Sequence, residues 1–151
     1  MTRLLLDVNL VLDVLLNRGP HASASSEVWE AVETGRARGF LSAQAITTMH
    51  YLNAKAVGAK AATETTNALL SVFEVASVDD GVIRSALALG WRDFDDAVTA
   101  AAAQRARCSA LVARNPRDFK KSPVRVLTPV EAAAWLGATR RHLSSPVLTR
   151  R

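Results

Sequence analysis

A chain of 151 residues, 49% apolar and only 5% aromatic, is long enough for one domain with a sizeable core. No apolar run approaches the ~20 residues that span a bilayer. The apolar start is broken by Asp7, Asn9 and Asp13 and does not read as a signal peptide. The lone cysteine, Cys108, excludes an internal disulfide, suits a reducing, cytoplasmic setting and reads as a packed core thiol. Four of the cations behind the net charge of +5 lie at the end, Arg140, Arg141, Arg150 and Arg151; without them the body is near +1. Others bunch between Arg105 and Arg125, where only Asp118 opposes them, as suits a polyanionic partner.

In chain order, residues 4–6 read as a buried strand that ends in an acid, Asp7. Leu10, Val11, Val14 and Leu15 then form an apolar helical stripe, stopped by Asn17-Arg18-Gly19-Pro20. A second helix is expected over 23–33, with Val28, Trp29 and Val32 on one face and Gly35 near its end. Residues 39–42 form a short strand. A helix over 43–55 follows and is expected to carry Ile46, Met49 and Leu52 inward. Gly58 separates it from a helix over 60–71, an αα-hairpin. Residues 73–78 read as a strand, and Asp79 or Asp80 as the cap of a short helix bearing Val82, Ile83, Ala86 and Leu87.

Gly90-Trp91-Arg92 breaks that helix, and an alanine-rich helix over 94–105 follows, able to approach a sheet closely. Residues 110–113 form a strand that stops at Arg114-Asn115-Pro116. Residues 124–127 read as a final edge strand, and Thr128-Pro129-Val130-Glu131 as a helix start with Pro at N1 and a capping box. That helix ends near Gly137. Residues 1–137 thus make one domain, and 138–151 are expected to be a basic, disordered tail. The alternation of strands and helices predicts an α/β three-layer sandwich, with a central, mainly parallel sheet flanked by helices.

Three groups of acids obey one rule. Asp7 ends a strand, Asp118 lies just past another strand end, and Asp95 and Asp96 occupy the first turn of a helix. Strand C-termini and the N-termini of the following helices share one edge of a parallel sheet, so all these carboxylates are placed to face one pit. Like charges so close repel and shift each other's pKa, and a divalent cation removes that penalty. An oxygen-only donor set suits Mg²⁺ or Mn²⁺, which activates water and stabilises charge in phosphodiester cleavage. Each acid alone has a plainer role: first-turn acids favour the helix dipole, and Asp7 and Asn9 could form an Asx turn. A phosphotransferase with a nucleophilic first-strand aspartate would want an acid two residues on, where Asn9 stands.

The stretches Leu6-Asp7-Val8-Asn9-Leu10-Val11-Leu12-Asp13, Asp93-Phe94-Asp95-Asp96-Ala97-Val98 and Arg114-Asn115-Pro116-Arg117-Asp118-Phe119 resemble, in this order, the motifs of PIN domains, and among them the VapC-type toxin ribonucleases. The resemblance covers about residues 3–136. It implies a metal-dependent endoribonuclease that forms a homodimer, is inhibited by a cognate antitoxin protein, and acts on RNA. Asp7, Asp96 and Asp118 would hold Mg²⁺ or Mn²⁺, with Asp95 as the rival of Asp96. Asn9 would orient Asp7, and Asn115 would line the same pocket. Arg114, Arg117, Lys120 and Lys121 would hold the RNA backbone. In one respect the chain departs from the family. A glutamate is common on the helix after the second strand, and here that place falls at Thr48, with Gln44 and His50 nearby. The missing acid leaves open a catalytically silent module that binds RNA or a partner.

Overall fold

The computed structural model describes residues 1–20 and 22–137; the expected tail lies outside the described residues. Its elements are β1 (Arg3–Leu6), α1 (Val8–Leu15), α2 (Ala22–Glu33), β2 (Arg38–Ser42), α3 (Ala43–Val57), α4 (Ala59–Leu70), β3 (Glu74–Ala76), α5 (Asp80–Leu89), α6 (Phe94–Arg105), β4 (Ala110–Val112), a 3-10 turn (Pro116–Phe119) and β5 (Arg125–Leu127). A last helix, α7, covers 129–137. The strands stand in the order β3-β2-β1-β4-β5, and every pairing is parallel. The expected sandwich is therefore present, with β5 at an edge.

The central strands β1 and β4 are largely apolar on both faces, as a sheet covered by helices on both sides requires, while the edge strands β3 and β5 are partly exposed. Leu4, Leu6, Leu41 and Val112 pack against α1, α2, α3, α4 and α7 through Leu10, Val11, Val28, Met49, Leu69 and Leu136. On the other face Leu5, Phe40 and Leu111 meet α5 and α6. Helix α6 buries an unbroken run from Ala97 to Ala103, so its small side chains bring its backbone close to the sheet. Gly39 marks another close approach: a Cβ there would stand 2.7 Å from Phe73 Cδ1 and from Val32 Cγ1.

Local capping follows the sequence closely. Asp79 accepts from the Val82 N–H at 2.9 Å and starts α5. The Thr128 N–H donates to Glu131 at 2.9 Å while the Glu131 N–H donates to Thr128 Oγ1 at 3.1 Å, the reciprocal box that starts α7. Cys108 is buried, and burial pushes its thiol up to about 11, as befits a packed thiol. Two expectations about side chains fail. Leu52 is half exposed on α3 while Met49 is buried, and Leu15 on α1 is 44% exposed. Leu52 and Leu15 border an apolar surface groove with Leu12, Leu16 and Met49 rather than the sheet. Trp29 is turned into the core, edge-on to Phe73 with ring centroids 5.0 Å apart.

Candidate active site

The sheet runs from β1 to β2 and β3 in one direction, then returns to β4 and β5 on the other side of β1. The chain thus reverses its winding between β1 and β4, and in open α/β sheets the crevice beyond the strand ends at such a point is where ligands bind. Asp7 stands there. Its backbone N–H donates to Val112 O of β4 at 2.9 Å, and its carbonyl accepts from the Leu10 N–H as α1 begins. Its carboxylate makes no standard capping bond, though the backbone N–H groups of Val8 and Asn9 at the start of α1 act on it. It also accepts from Asn9 Nδ2 at 3.3 Å, so its contacts are with the first residues of α1.

Helix α6 delivers the second group. Asp93 is the cap, its Oδ1 accepting from the Asp96 N–H at 3.0 Å, which leaves the side chains of Asp95 and Asp96 free of that task. The 3-10 turn after β4 carries Asp118, whose N–H donates to Asn115 O at 3.0 Å. Asn115 itself is exposed at the N-terminus of that turn and makes no capping bond through its side chain.

These acids feel one another. Burial, then Asp93, Asp7, Asp118 and Asp95, pushes the Asp96 carboxyl up to about 7. Burial also raises Asp7, with Asp95 adding to it, against the lowering effect of the Asn9 amide. Among the described residues no ion pair involves Asp7, Asp95, Asp96 or Asp118; the paired acids are Asp13, Glu74, Asp79 and Asp80. An open cleft of about 810 Å³ is lined by Trp91, Arg92, Asp93, Phe94, Asp96, Arg117, Asp118 and Lys120; Asp7, Asn9, Asp95 and Asn115 are not in its lining.

A PIN domain model matches residues 3–117. The chain belongs to the PIN domain family. No curated protein matches the sequence. Solved PIN-like structures share the fold. The VapBC-1 structure from nontypeable Haemophilus influenzae superposes with a TM-score of 0.68 at 12% identity, over 85% of this chain and 98% of that one. VapBC2 from Rickettsia felis, bound to a DNA fragment from the promoter, gives 0.67 at 15%, over 84% and 98%. A toxin–antitoxin complex from Klebsiella pneumoniae gives 0.64 at 25%, over 84% and 98%.

This PIN domain departs from the sequence-based expectations in three places. Thr48 is exposed on α3 and makes no recorded bond to the acids. Gln44, one turn earlier on the same helix face and ~6 Å nearer the sheet edge, is the α3 residue that reaches α6. Its Nε2 donates to Thr99 Oγ1 at 3.1 Å, and Thr99 in turn donates to Asp95 O. Gln44 Oε1 and Ser42 Oγ are buried without partners. Ser42 ends β2 as Asp7 ends β1, so a polar residue closing an apolar strand was the signal for it. His50 faces α4, Nε2 lying 3.5 Å from Thr63 Oγ1.

Arg114 is the second departure. It was expected on the RNA backbone, but its Nη1 donates to Asp13 Oδ1 at 3.3 Å. Asp13 is fully buried, and Arg18 Nε also lies 3.1 Å from it. Arg114 thus ties the end of β4 to α1, because a buried carboxylate must find a cation. Lys121 is the third, exposed but outside the cleft, while Arg92 lines it.

The donor set is made of carboxylate and amide oxygens, as Mg²⁺ or Mn²⁺ prefers. Among the described residues no three His, Cys, Asp or Glu side chains are drawn tightly enough to grip an ion directly. Asp7, Asp95 and Asp118 lie near enough to Asp96 to act on its charge, but they do not form a closed set of ligands.

Proposed function

We propose that this PIN domain is a Mg²⁺- or Mn²⁺-dependent endoribonuclease, the toxin of a type II toxin–antitoxin pair, hydrolysing RNA phosphodiesters. The observation that supports the reading is a set of carboxylates outside any ion pair, on three separate segments, acting on one another near the point where the sheet reverses its winding. Structure tolerates such a cluster when a cation is its working partner.

Asp7, Asp96 and Asp118 would hold the ion, with Asn9 orienting Asp7, Asp95 beside them, and Asn115 and Gln44 at the border. When bound, the ion supplies a Lewis acid that activates water and offsets the charge growing on phosphorus. Arg92, Arg117 and Lys120 line the approach and hold the flanking phosphates. A second copy of this chain and an antitoxin are the proposed protein partners. Leu15, Leu16, Leu52 and Val57 border an apolar groove of about 460 Å³ that offers surface for such contacts. Support for the toxin role comes from the similarity in fold to chains of VapBC and toxin–antitoxin complexes.

The decisive test is cleavage of a fluorescent RNA with Mg²⁺, Mn²⁺ or chelator, by wild type and Asp7→Asn. Wild type should cut only with metal, and Asp7→Asn should melt normally yet cut at least a hundredfold more slowly. Metal-dependent cutting retained in the variant refutes the assignment. One observation favours a second reading, a silent module that binds RNA or a partner. Where relatives carry a glutamate this chain offers Thr48 and Gln44, and no tight acid triad stands among the described residues. That module would show neither cleavage nor a rise in melting temperature with Mn²⁺.

A further inference from the structure

Phe94 is out of place as a core residue. The chain has four phenylalanines, and Phe40, Phe73 and Phe119 are at most 4% exposed, whereas Phe94 is 43% exposed. It is the first residue of α6, fixed by the Asp93 cap just before it and two positions ahead of Asp96. Its ring borders the cleft that Asp96 and Asp118 also line. Trp91, on the same wall, is already used: it packs edge-on to Phe119 with centroids 6.0 Å apart.

The other neighbours of Phe94 in the cleft carry charge: Arg92, Arg117 and Lys120 beside Asp96 and Asp118. Among the described residues none of these three cations is in an ion pair. A protein partner would want a contiguous apolar patch, and one phenyl ring among charges is not that. An aromatic face flanked by free cations matches a nucleotide instead: the ring takes the base and the cations take the phosphates on either side. The cleft volume of about 810 Å³ lies within the ~300–1,000 Å³ typical of ligand clefts.

Resting on the ribonuclease reading above, we propose that Phe94 is a stacking platform for one unpaired base beside the scissile phosphate. Paired bases in an A-form helix are stacked on each other and have no free face to offer. The role is recognition: Phe94 sets how tightly and where the strand lies, while the acids do the chemistry.

The test uses the full chain with a labelled 12-nucleotide RNA of mixed sequence, in Ca²⁺ at low salt, read by fluorescence anisotropy. Wild type should bind the single strand at least tenfold more tightly than the blunt duplex of the same sequence. Phe94→Leu, apolar but without a π face, should lose roughly five- to a hundredfold in affinity, while Phe94→Tyr stays within about threefold of wild type. Melting temperatures of all three should agree, because the ring is outside the core. In cleavage, Phe94→Leu should raise KM more than it lowers kcat. Leucine binding and cutting like wild type, or duplex binding as tightly as single strand, overturns the platform and leaves the nuclease reading intact. Wild type that neither binds nor cuts RNA overturns both.

Discussion

Asp96→Asn should make the metal-free protein more stable at pH 8. The Asp96 carboxyl is ordinarily at 3.8 and is held up to about 7 in the folded state, by burial first and by Asp93, Asp7, Asp118 and Asp95 after that. Between those values the folded chain binds more protons than the unfolded one, so stability falls as pH rises from about 4 and levels off above about 7. The gap corresponds to roughly 4 kcal/mol at full strength. Asp96 is only half buried, and solvent screening reduces the cost of its charge, desolvation and repulsion together, to roughly 1–2 kcal/mol. Asparagine keeps the shape and removes the charge. In a domain of this size that is a gain of roughly 3–6 °C in melting temperature at pH 8 in chelator, shrinking at pH 5, where the folded wild type is already protonated. Circular dichroism melts of both proteins at the two pH values check this. Mn²⁺ at a hundred times its dissociation constant should add about 2.7 kcal/mol to wild type and much less to the variant. A variant no more stable than wild type at pH 8 would show that the Asp96 charge costs nothing at this site, and the cation argument would lose its basis.

Mn²⁺ affinity, measured by calorimetry, should rise up to tenfold per pH unit toward about 7 and then level off, since the ion must displace the proton held by Asp96; an affinity flat from pH 5.5 to 8 would contradict this. Asp13→Asn should cost roughly 2–3 kcal/mol in urea denaturation. Losing one partner of a buried pair costs ~3–5 kcal/mol, and Arg18 and Arg114 are 40% and 24% exposed, which softens the loss; a change below about 0.5 kcal/mol would mean the network holds nothing. Gly39→Ala should cost ~1–3 kcal/mol, because the new methyl would meet Phe73 and Val32 at 2.7 Å; an unchanged midpoint would show that the strand can yield there.

Much of this molecule is local and was therefore legible in the chain itself. Leu4-Leu5-Leu6 read as a buried strand, the Thr128–Glu131 box starts a helix wherever that helix lies, and of the two caps offered, Asp79 or Asp80, it is Asp79 that caps α5. That Asp7 and Asp118 come near enough to act on Asp96 was also readable, since parallel strands put every strand end and next helix start on the same side, although these acids form no closed group of ligands among the described residues. What neighbours across the fold decide was not. Whether Gln44 or Thr48 reaches α6 depends on how far α3 has climbed from the sheet edge when α6 passes it. Arg114 looks like any cation of a basic cluster until β4 lands beside β1 and brings it against Asp13 from 101 residues away. Leu52 fits an apolar stripe, and only the packing of α3 leaves it half exposed on a surface groove. Caps and periods act over a few residues, so sequence determines them; which side chains meet is settled by the strand order β3-β2-β1-β4-β5, which exists only once the sheet has formed.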